Sequence, residues 1–160
     1  MLPTLALALL LVPPLLADPP AAPVEEAIPE PLVEKAFLLV AAAKDWDTAR
    51  STASQAAQAL ALELKVEVAP LPGGGLTFPA ATCTASGFEH PCYVARGRYD
   101  DGAFVSVEWS SDYQGFTPGL YIVVAASGPE AEVKPHLAAA RELYPDAYIK
   151  KAKVWMGCIH

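Results

Sequence analysis

The sequence has 160 residues and a net charge of −7 at pH 7, and 53% of its residues are hydrophobic. This length is sufficient for one folded domain with an export signal and a linker. Five acidic and no basic residues lie within positions 18–34, so the rest of the chain is close to neutral. Because nucleic-acid binding requires clustered basic side chains, the composition argues against a nucleic-acid partner.

The N-terminal 17 residues have the pattern of a secretory signal peptide. An apolar run over positions 5–12 is followed by two prolines and by the small residue Ala17, just before the first charge. This arrangement predicts cleavage near Ala17 and an extracytoplasmic location, periplasmic or secreted. The alternative is an uncleaved anchor. However, the apolar run is too short to cross about 30 Å of hydrocarbon, so no stable membrane span is expected after cleavage.

Residues 18–34 are predicted to form an acidic, extended linker. Five prolines occur between Pro19 and Pro31, and each proline fixes φ and removes a backbone donor. The folded part is therefore expected to be a single domain over residues 35–160.

An internal repeat is the clearest feature of this domain. The apolar segment 37–43 is matched by the segment 121–127, which lies 84 residues later. Both are rich in strand-forming residues, and each is followed by a segment with helical periodicity. The repeat predicts two units, each consisting of a strand, a helix and a second strand.

In the first unit, the pattern predicts a helix over 48–64 that is capped by Asp45 or Asp47. The alternation of residues 65–68 predicts a half-exposed strand, which stops at Pro70.

In the second unit, Ser127 and Glu130 have the spacing of a capping box at the start of a helix. Pro135 predicts a kink or a restart of that helix, and the final strand is expected over 147–155.

Two such units predict an α+β fold, a ferredoxin-like βαββαβ sandwich with one antiparallel sheet and two helices on one face. A long insert, at about residues 70–118, separates the units. Within it, an Asp-Gly pair at Asp101 and Gly102 lies between two strand-like runs. This pair predicts a β-hairpin formed by residues 92–99 and 103–110.

The chain has three cysteines, at positions 83, 92 and 158. A disulfide is expected in an exported protein, and Cys83 with Cys92 is the preferred pair because they flank a short loop. Pairing of Cys92 with Cys158 remains open. Zinc binding by these two cysteines with His90 and His160, or a Cys158 nucleophile, would be alternatives. Their spacings match no zinc or nucleophile motif, so we predict no metal, no cofactor and no enzymatic activity.

The second unit resembles the sporulation-related repeat (SPOR) domain family, whose members are bacterial cell-envelope modules. The matching segments are 119–125, 147–150 and 152–154, and the first unit repeats the pattern more weakly over 37–68. The resemblance implies a ferredoxin-like fold and a bacterial source. It also implies that the ligand is the glycan strand of peptidoglycan, bound on the exposed face of the sheet.

Aromatic and basic side chains provide the candidate ligand-binding residues. Tyr121, Tyr148 and Trp155 can stack on sugar rings, and Lys150 can contact the carboxylates of peptide stems. Ordinary core packing is the alternative role for Tyr121 and Trp155. The sequence therefore predicts a non-enzymatic binding module, and the resemblance implies peptidoglycan as its partner. The alternative is a protein-interaction or inhibitor-like domain that contacts an envelope protein through the insert.

Overall fold

The computed structural model describes residues 31–158. The predicted signal peptide and most of the predicted linker lie outside it. The described elements are, in chain order, β1 (Leu32–Ala43), α1 (Trp46–Ala59), β2 (Leu64–Lys65), β3 (Ala69–Pro70), β4 (Leu76–Thr77), α2 (Ala80–Ala85), β5 (Gly102–Trp109), β6 (Tyr121–Gly128), α3 (Glu130–Val133), α4 (His136–Leu143) and β7 (Tyr148–Trp155).

Five strands form one mixed sheet in the order β2-β5-β6-β1-β7, and β3 and β4 form a separate two-stranded ribbon. Strand β1 is antiparallel to β6 and to β7, and β5 is antiparallel to β6. Strand β2 runs parallel to β5. The predicted α+β class is confirmed. The prediction of a purely antiparallel sheet is wrong, because β5 lies between β6 and β2 and runs parallel to β2.

The two repeated segments lie beside each other at the centre of the sheet. Phe37 is opposite Ser127 and Ala43 is opposite Tyr121, so the repeats pair in antiparallel register. Every residue of β6 is buried, as are residues 36–40 of β1. Continuous burial of this kind requires cover on both faces of the sheet, and this explains the unbroken apolar runs.

Helices α1, α3 and α4 contribute to the core on one face. Four alanines of α1 are buried there, and their small side chains allow the helix to pack closely against the sheet. The helix begins after Asp45, whose Oδ1 accepts a hydrogen bond from the Thr48 N–H at 2.8 Å, as one of the two predicted caps. It ends at Ala59 rather than at residue 64, and Ala61 takes a positive φ of 52°.

The second helical segment is divided at Pro135, as predicted. Helix α3 ends at Val133 and α4 begins at His136, because a proline cannot donate the intrahelical hydrogen bond. The predicted capping box does not form, since Pro129 is the N-cap and no side chain caps the helix. Ser127 instead belongs to β6 and accepts a hydrogen bond from Arg96.

The opposite face of the sheet is covered by the segment between the two units. Tyr113 and Phe116 pack edge-on against Phe37, at centroid distances of 5.2 and 5.6 Å. The predicted hairpin is wrong, because residues 92–99 form no strand and β5 pairs with β6 and β2. The insert therefore lies on the sheet face to which the resemblance assigned the glycan.

Strand β1 begins inside the predicted linker. Leu32, Val33 and Glu34 are opposite Trp155, Val154 and Lys153, respectively, so the last residues of β7 extend the sheet into this segment. The linker predicted for 18–34 thus includes three residues of the folded domain. None of the helices within residues 31–158 has the length and apolar character needed to cross a bilayer.

The predicted disulfide between Cys83 and Cys92 is confirmed. The two Cα atoms are 5.8 Å apart, Cys83 in α2 is completely buried, and Cys158 is exposed with a free thiol. The bridge closes a short loop and thereby restricts the unfolded chain.

We expect a Cys83→Ser/Cys92→Ser variant to lose about 2–3 kcal/mol of unfolding free energy, because the unfolded loop gains conformational freedom. Urea denaturation followed by circular dichroism measures this loss. Cys158→Ser is the matched control and should leave the midpoint unchanged. Equal effects of the double variant and of the control would contradict the assignment.

Candidate functional site

A buried arginine joins the sheet to the parts of the insert that lie on it, residues 92–100 and 110–118, which we call the covering segment. Only 4% of Arg96 is exposed, and its guanidinium lies 3.5 Å from the centroid of the Phe104 ring. Its nitrogens donate hydrogen bonds of 2.8–3.0 Å to two strands. The acceptors are the carbonyls of Gly102, Phe104 and Val124 and the hydroxyls of Ser106 and Ser127.

The backbone explains why these acceptors are available. Ala103 is opposite Ala126 and Ser106 is opposite Val124, so two residues of β5 face one residue of β6. Such a bulge interrupts the ladder and leaves backbone groups without their usual partners. The guanidinium of Arg96 hydrogen-bonds to the carbonyls of Phe104 and Val124 at this bulge. Burial nevertheless lowers the pKa of Arg96, to about 10.

Glu108 is the acidic counterpart of Arg96 and is also only 4% exposed. Its Oε2 accepts hydrogen bonds from the Tyr93 hydroxyl, from the Tyr113 hydroxyl at 2.7 Å and from the Arg96 backbone N–H at 3.3 Å. Burial, and then the charge of Glu108, raises the pKa of both tyrosines well above its usual value. Both phenols therefore remain protonated donors at neutral pH.

Two clefts lie on either side of the covering segment. We call the first the Glu108 cleft. It has a volume of about 460 Å³, and its lining includes Lys65, Glu67, Phe78, Tyr93, Phe104 and Glu108. We call the second the Trp155 cleft. It has a volume of about 580 Å³, and its lining includes Gly74, Tyr93, Arg98, Trp109, Asp112 and Trp155. Tyr93 lines both clefts.

In the Trp155 cleft, the two tryptophans are held in different ways. Trp109 packs on Tyr121 at a centroid distance of 4.7 Å, and a Cβ at Gly74 would lie 2.6 Å from the Trp109 ring. Gly74 has a φ of +106°, so the absence of a side chain there permits both the turn and the contact with the ring. Trp155 is 49% exposed. Arg98 donates hydrogen bonds to the carbonyls of Trp155 and Gly157 and thereby fixes the C-terminal end of β7.

The predicted ligand-binding residues do not form one site. Tyr121 is buried in the helix-side core between Trp46 and Trp109, where no ligand could reach it. Tyr148 is 46% exposed at the start of β7, seven residues from Trp155 at its end. Lys150 is half-buried, and its ammonium lies 5.8 Å from the centroid of the Phe116 ring. Trp155 is the one predicted residue that lines a cleft.

The fold also bears on the alternative zinc site of Cys92, Cys158, His90 and His160. Cys92 is consumed by the disulfide and cannot act as a zinc ligand, while His160 lies outside the described residues. Within residues 31–158, no group of three or more histidine, cysteine or acidic side chains is arranged to hold a metal.

Sequence reasoning did not identify Arg96, Glu108 or Asp112 as parts of a site. The available signal was a polar residue within an apolar run, namely Glu108 between Val107 and Trp109. A carboxylate on the buried face of a strand requires hydrogen-bond donors, and these come from positions that only the folded chain brings together.

Comparisons with known proteins do not assign this chain to a family. A scan against protein-family models and searches of curated proteins and of solved structures find no match.

We expect Arg96→Met to reduce the unfolding free energy by at least about 3 kcal/mol, because it leaves several carbonyls and two hydroxyls buried without a donor and removes the positive charge near the Glu108 carboxylate. Chemical denaturation measures the loss. Arg50→Met on the exposed side of α1 is the matched control and should change the unfolding free energy by less than about 0.5 kcal/mol. Similar losses in the two variants would contradict a central role for Arg96.

A second expectation concerns pH. Partial burial of its carboxyl group, and then the charge of Glu108, raises the pKa of Asp112 from 3.8 to about 6, although the residue as a whole is exposed. Ionisation of Asp112 is thus less favourable in the folded state, and its penalty develops as the pH rises from about 4 to about 6. Asp112→Asn should therefore be more stable than wild type at pH 7, by less than about 1 kcal/mol because solvent screens this exposed residue.

Denaturation midpoints measured at pH 4 and at pH 7 test this expectation. The difference between Asp112→Asn and wild type should disappear at the lower pH. A difference that is the same at both values would contradict the raised pKa.

Proposed function

We propose that this chain is an exported, non-enzymatic binding module that recognises a glycan strand of the bacterial cell envelope in the Trp155 cleft. One observation carries the proposal: Trp155 is half exposed and lines the same cleft as Trp109, together with Asp112 and Arg98. Aromatic walls with a few polar groups are the usual composition of a ligand site.

The chemistry of a sugar suits this lining. The C–H faces of a pyranose ring are apolar and can stack on an indole, while its hydroxyls need donors and acceptors. Asp112 supplies an acceptor when it is ionised, and the hydrogen bonds of Arg98 hold the segment that carries Trp155 in place. The Trp155 N–H itself donates to the Cys158 carbonyl at 3.3 Å, which orients the ring.

The resemblance to SPOR domains supports the class of ligand and, in part, the topology. We propose that the two strand–helix–strand units form a ferredoxin-like sandwich that is enlarged by β5. The location of the site differs from the one the resemblance implies, because Tyr113 and Phe116 occupy the sheet face opposite the helices. A ligand would therefore bind beside the covering segment and not on the open sheet.

The compartment follows from two features. The N-terminal sequence has the pattern of an export signal, and a disulfide such as Cys83–Cys92 persists in oxidising surroundings. Both features support a location in the periplasm or outside the cell.

The alternative function is capture of an envelope protein through residues 70–118. The surface available for such a partner is smaller than the sequence predicted, since this segment packs on the sheet instead of projecting as a hairpin.

We expect the mature protein, from Asp18 onward, to sediment with purified peptidoglycan sacculi, and more strongly after the stem peptides are removed. Trp155→Ala should weaken this association about tenfold, because an aromatic contact contributes about 1–1.5 kcal/mol. Co-sedimentation across a range of sacculus concentrations measures the change.

Tyr148→Ala is the matched control, because Tyr148 is as exposed as Trp155 but lies at the other end of β7. It should bind like wild type. A loss confined to Tyr148→Ala would move the site away from the Trp155 cleft. If wild-type protein did not sediment with either form of sacculus, glycan recognition would be refuted and a protein partner favoured.

A further inference from the structure

The two carboxylate oxygens of Glu108 differ in their hydrogen bonding. Its Oε2 accepts three hydrogen bonds, whereas its Oε1 receives none from the residues that the structure describes. The only solvent-inaccessible side-chain nitrogen or oxygen without a partner in this range is the Nε of Arg98. The Oε1 of Glu108 is therefore not fully enclosed, although the residue as a whole is only 4% exposed, and the residue lines the Glu108 cleft. The cleft thus contains an acceptor oxygen whose position is fixed by the hydrogen bonds to Oε2.

The charges around the cleft favour a cation. Four carboxylates and two basic groups line it, so negative charge is in excess. Lys65 is already paired, with its Nζ 3.1 Å from Asp100 Oδ2 and 4.0 Å from Glu63 Oε2. Within residues 31–158, neither Glu67 nor Glu108 has a basic side-chain nitrogen within 4.0 Å, although the charge of Glu108 partly compensates that of buried Arg96.

The aromatic walls suit the same ligand. Phe78 and Tyr93 lie side by side, with their centroids 5.6 Å apart. The cleft already accommodates one ammonium of the chain itself, since Lys65 Nζ lies 4.1 Å from the centroid of the Phe104 ring. Aromatic faces attract such cations most strongly where water is partly excluded.

We propose that the Glu108 cleft binds a primary ammonium group on an aliphatic stem, with the ammonium on Glu108 Oε1 and the stem against Tyr93 and Phe78. An ammonium fits better than a guanidinium. A guanidinium binds a carboxylate most strongly through two parallel hydrogen bonds, and here Oε2 is already occupied by three donors. An ammonium needs only one free oxygen. The cleft volume of about 460 Å³ is within the range of small-ligand sites.

The competing role for Glu108 is purely internal, as the charge that compensates buried Arg96. That role requires no ligand and predicts no preference among added compounds. The two roles can therefore be separated on the wild-type protein, without any substitution.

The test is a titration of isotope-labelled wild-type protein with n-pentylammonium chloride, with 1-pentanol as the neutral compound of equal stem length. We expect saturable shifts of the amide signals of residues 93–96 and 106–108 with n-pentylammonium. Binding of 1-pentanol should be at least about tenfold weaker, as a charge-assisted hydrogen bond is lost. Equal binding of the two compounds, or no saturable shift with n-pentylammonium, would overturn the proposal.

Substitutions give a second test at the same site. Glu108→Gln should weaken the binding of n-pentylammonium at least about tenfold, whereas Glu142→Gln, at an exposed position of α4, should not. Glu67→Gln removes an exposed carboxylate from the cleft wall and should weaken binding about two- to threefold. If Glu108→Gln does not fold, the comparison of n-pentylammonium with 1-pentanol on the wild-type protein decides, and equal binding of the two compounds refutes the proposal.

A further compound identifies the source of the ammonium. Nα-acetyl-lysine N-methylamide carries the same group on a peptide-like backbone. Binding at least as tight as that of n-pentylammonium would assign the cleft to lysine side chains of a peptide or protein. Much weaker binding would assign it to a free amine, because the cleft would then exclude the backbone. These outcomes do not depend on glycan binding in the Trp155 cleft.

Discussion

The guanidinium of Arg96 is the constraint on which the rest of the structure depends. It is buried beneath the covering segment and hydrogen-bonded to both β5 and β6 at the bulge between them. A buried cation is costly without compensation; the charge of Glu108 supplies part of that compensation, and two tyrosine hydroxyls donate hydrogen bonds to Glu108. These polar groups fix residues 92–100 against the sheet. The burial of Arg96 therefore also determines the position of residues 93–95, which line both clefts.

This arrangement determines where a ligand can bind. A sheet with helices on one face normally leaves its other face available, but here Phe37, Val124 and Val154 are covered by Tyr113, Phe116 and Ala95. Binding is thereby displaced to the borders of the covering segment. There, aromatic side chains that are rigidly packed on one side remain accessible on the other. Such groups lose little conformational entropy when they contact a ligand, which favours these borders as recognition surfaces.

Some features that depend on local sequence were predictable, although the capping box at Ser127 and the Asp-Gly hairpin were not. The Asp45 cap, the division of the second helical segment at Pro135 and the Cys83–Cys92 pair each follow from residues close together in the chain. The position of β5 was not predictable, because its residues could equally have paired with 92–99 or with the distant β6. Arg96 was missed for a similar reason, since its acceptors Gly102, Phe104, Ser106, Val124 and Ser127 lie 6 to 31 positions away. The sequence does not distinguish the roles of Tyr121 and Trp155. Their burial does, because Tyr121 lies in the core and Trp155 is exposed in a cleft.

The early start of β1 has a mechanical consequence. The described chain enters the sheet at Leu32, directly opposite Trp155. If the proposed polymer is bound at Trp155, a force on it and a force on the chain that enters at Leu32 act on the same end of the β1–β7 pair. Such forces separate β7 from β1 one residue pair at a time, beginning with Leu32 and Trp155, whereas the pairing of β5 with β6 lies outside this path. The edge strand β7, which contributes the buried residues Ala152 and Val154, is therefore the part of the sheet that yields first.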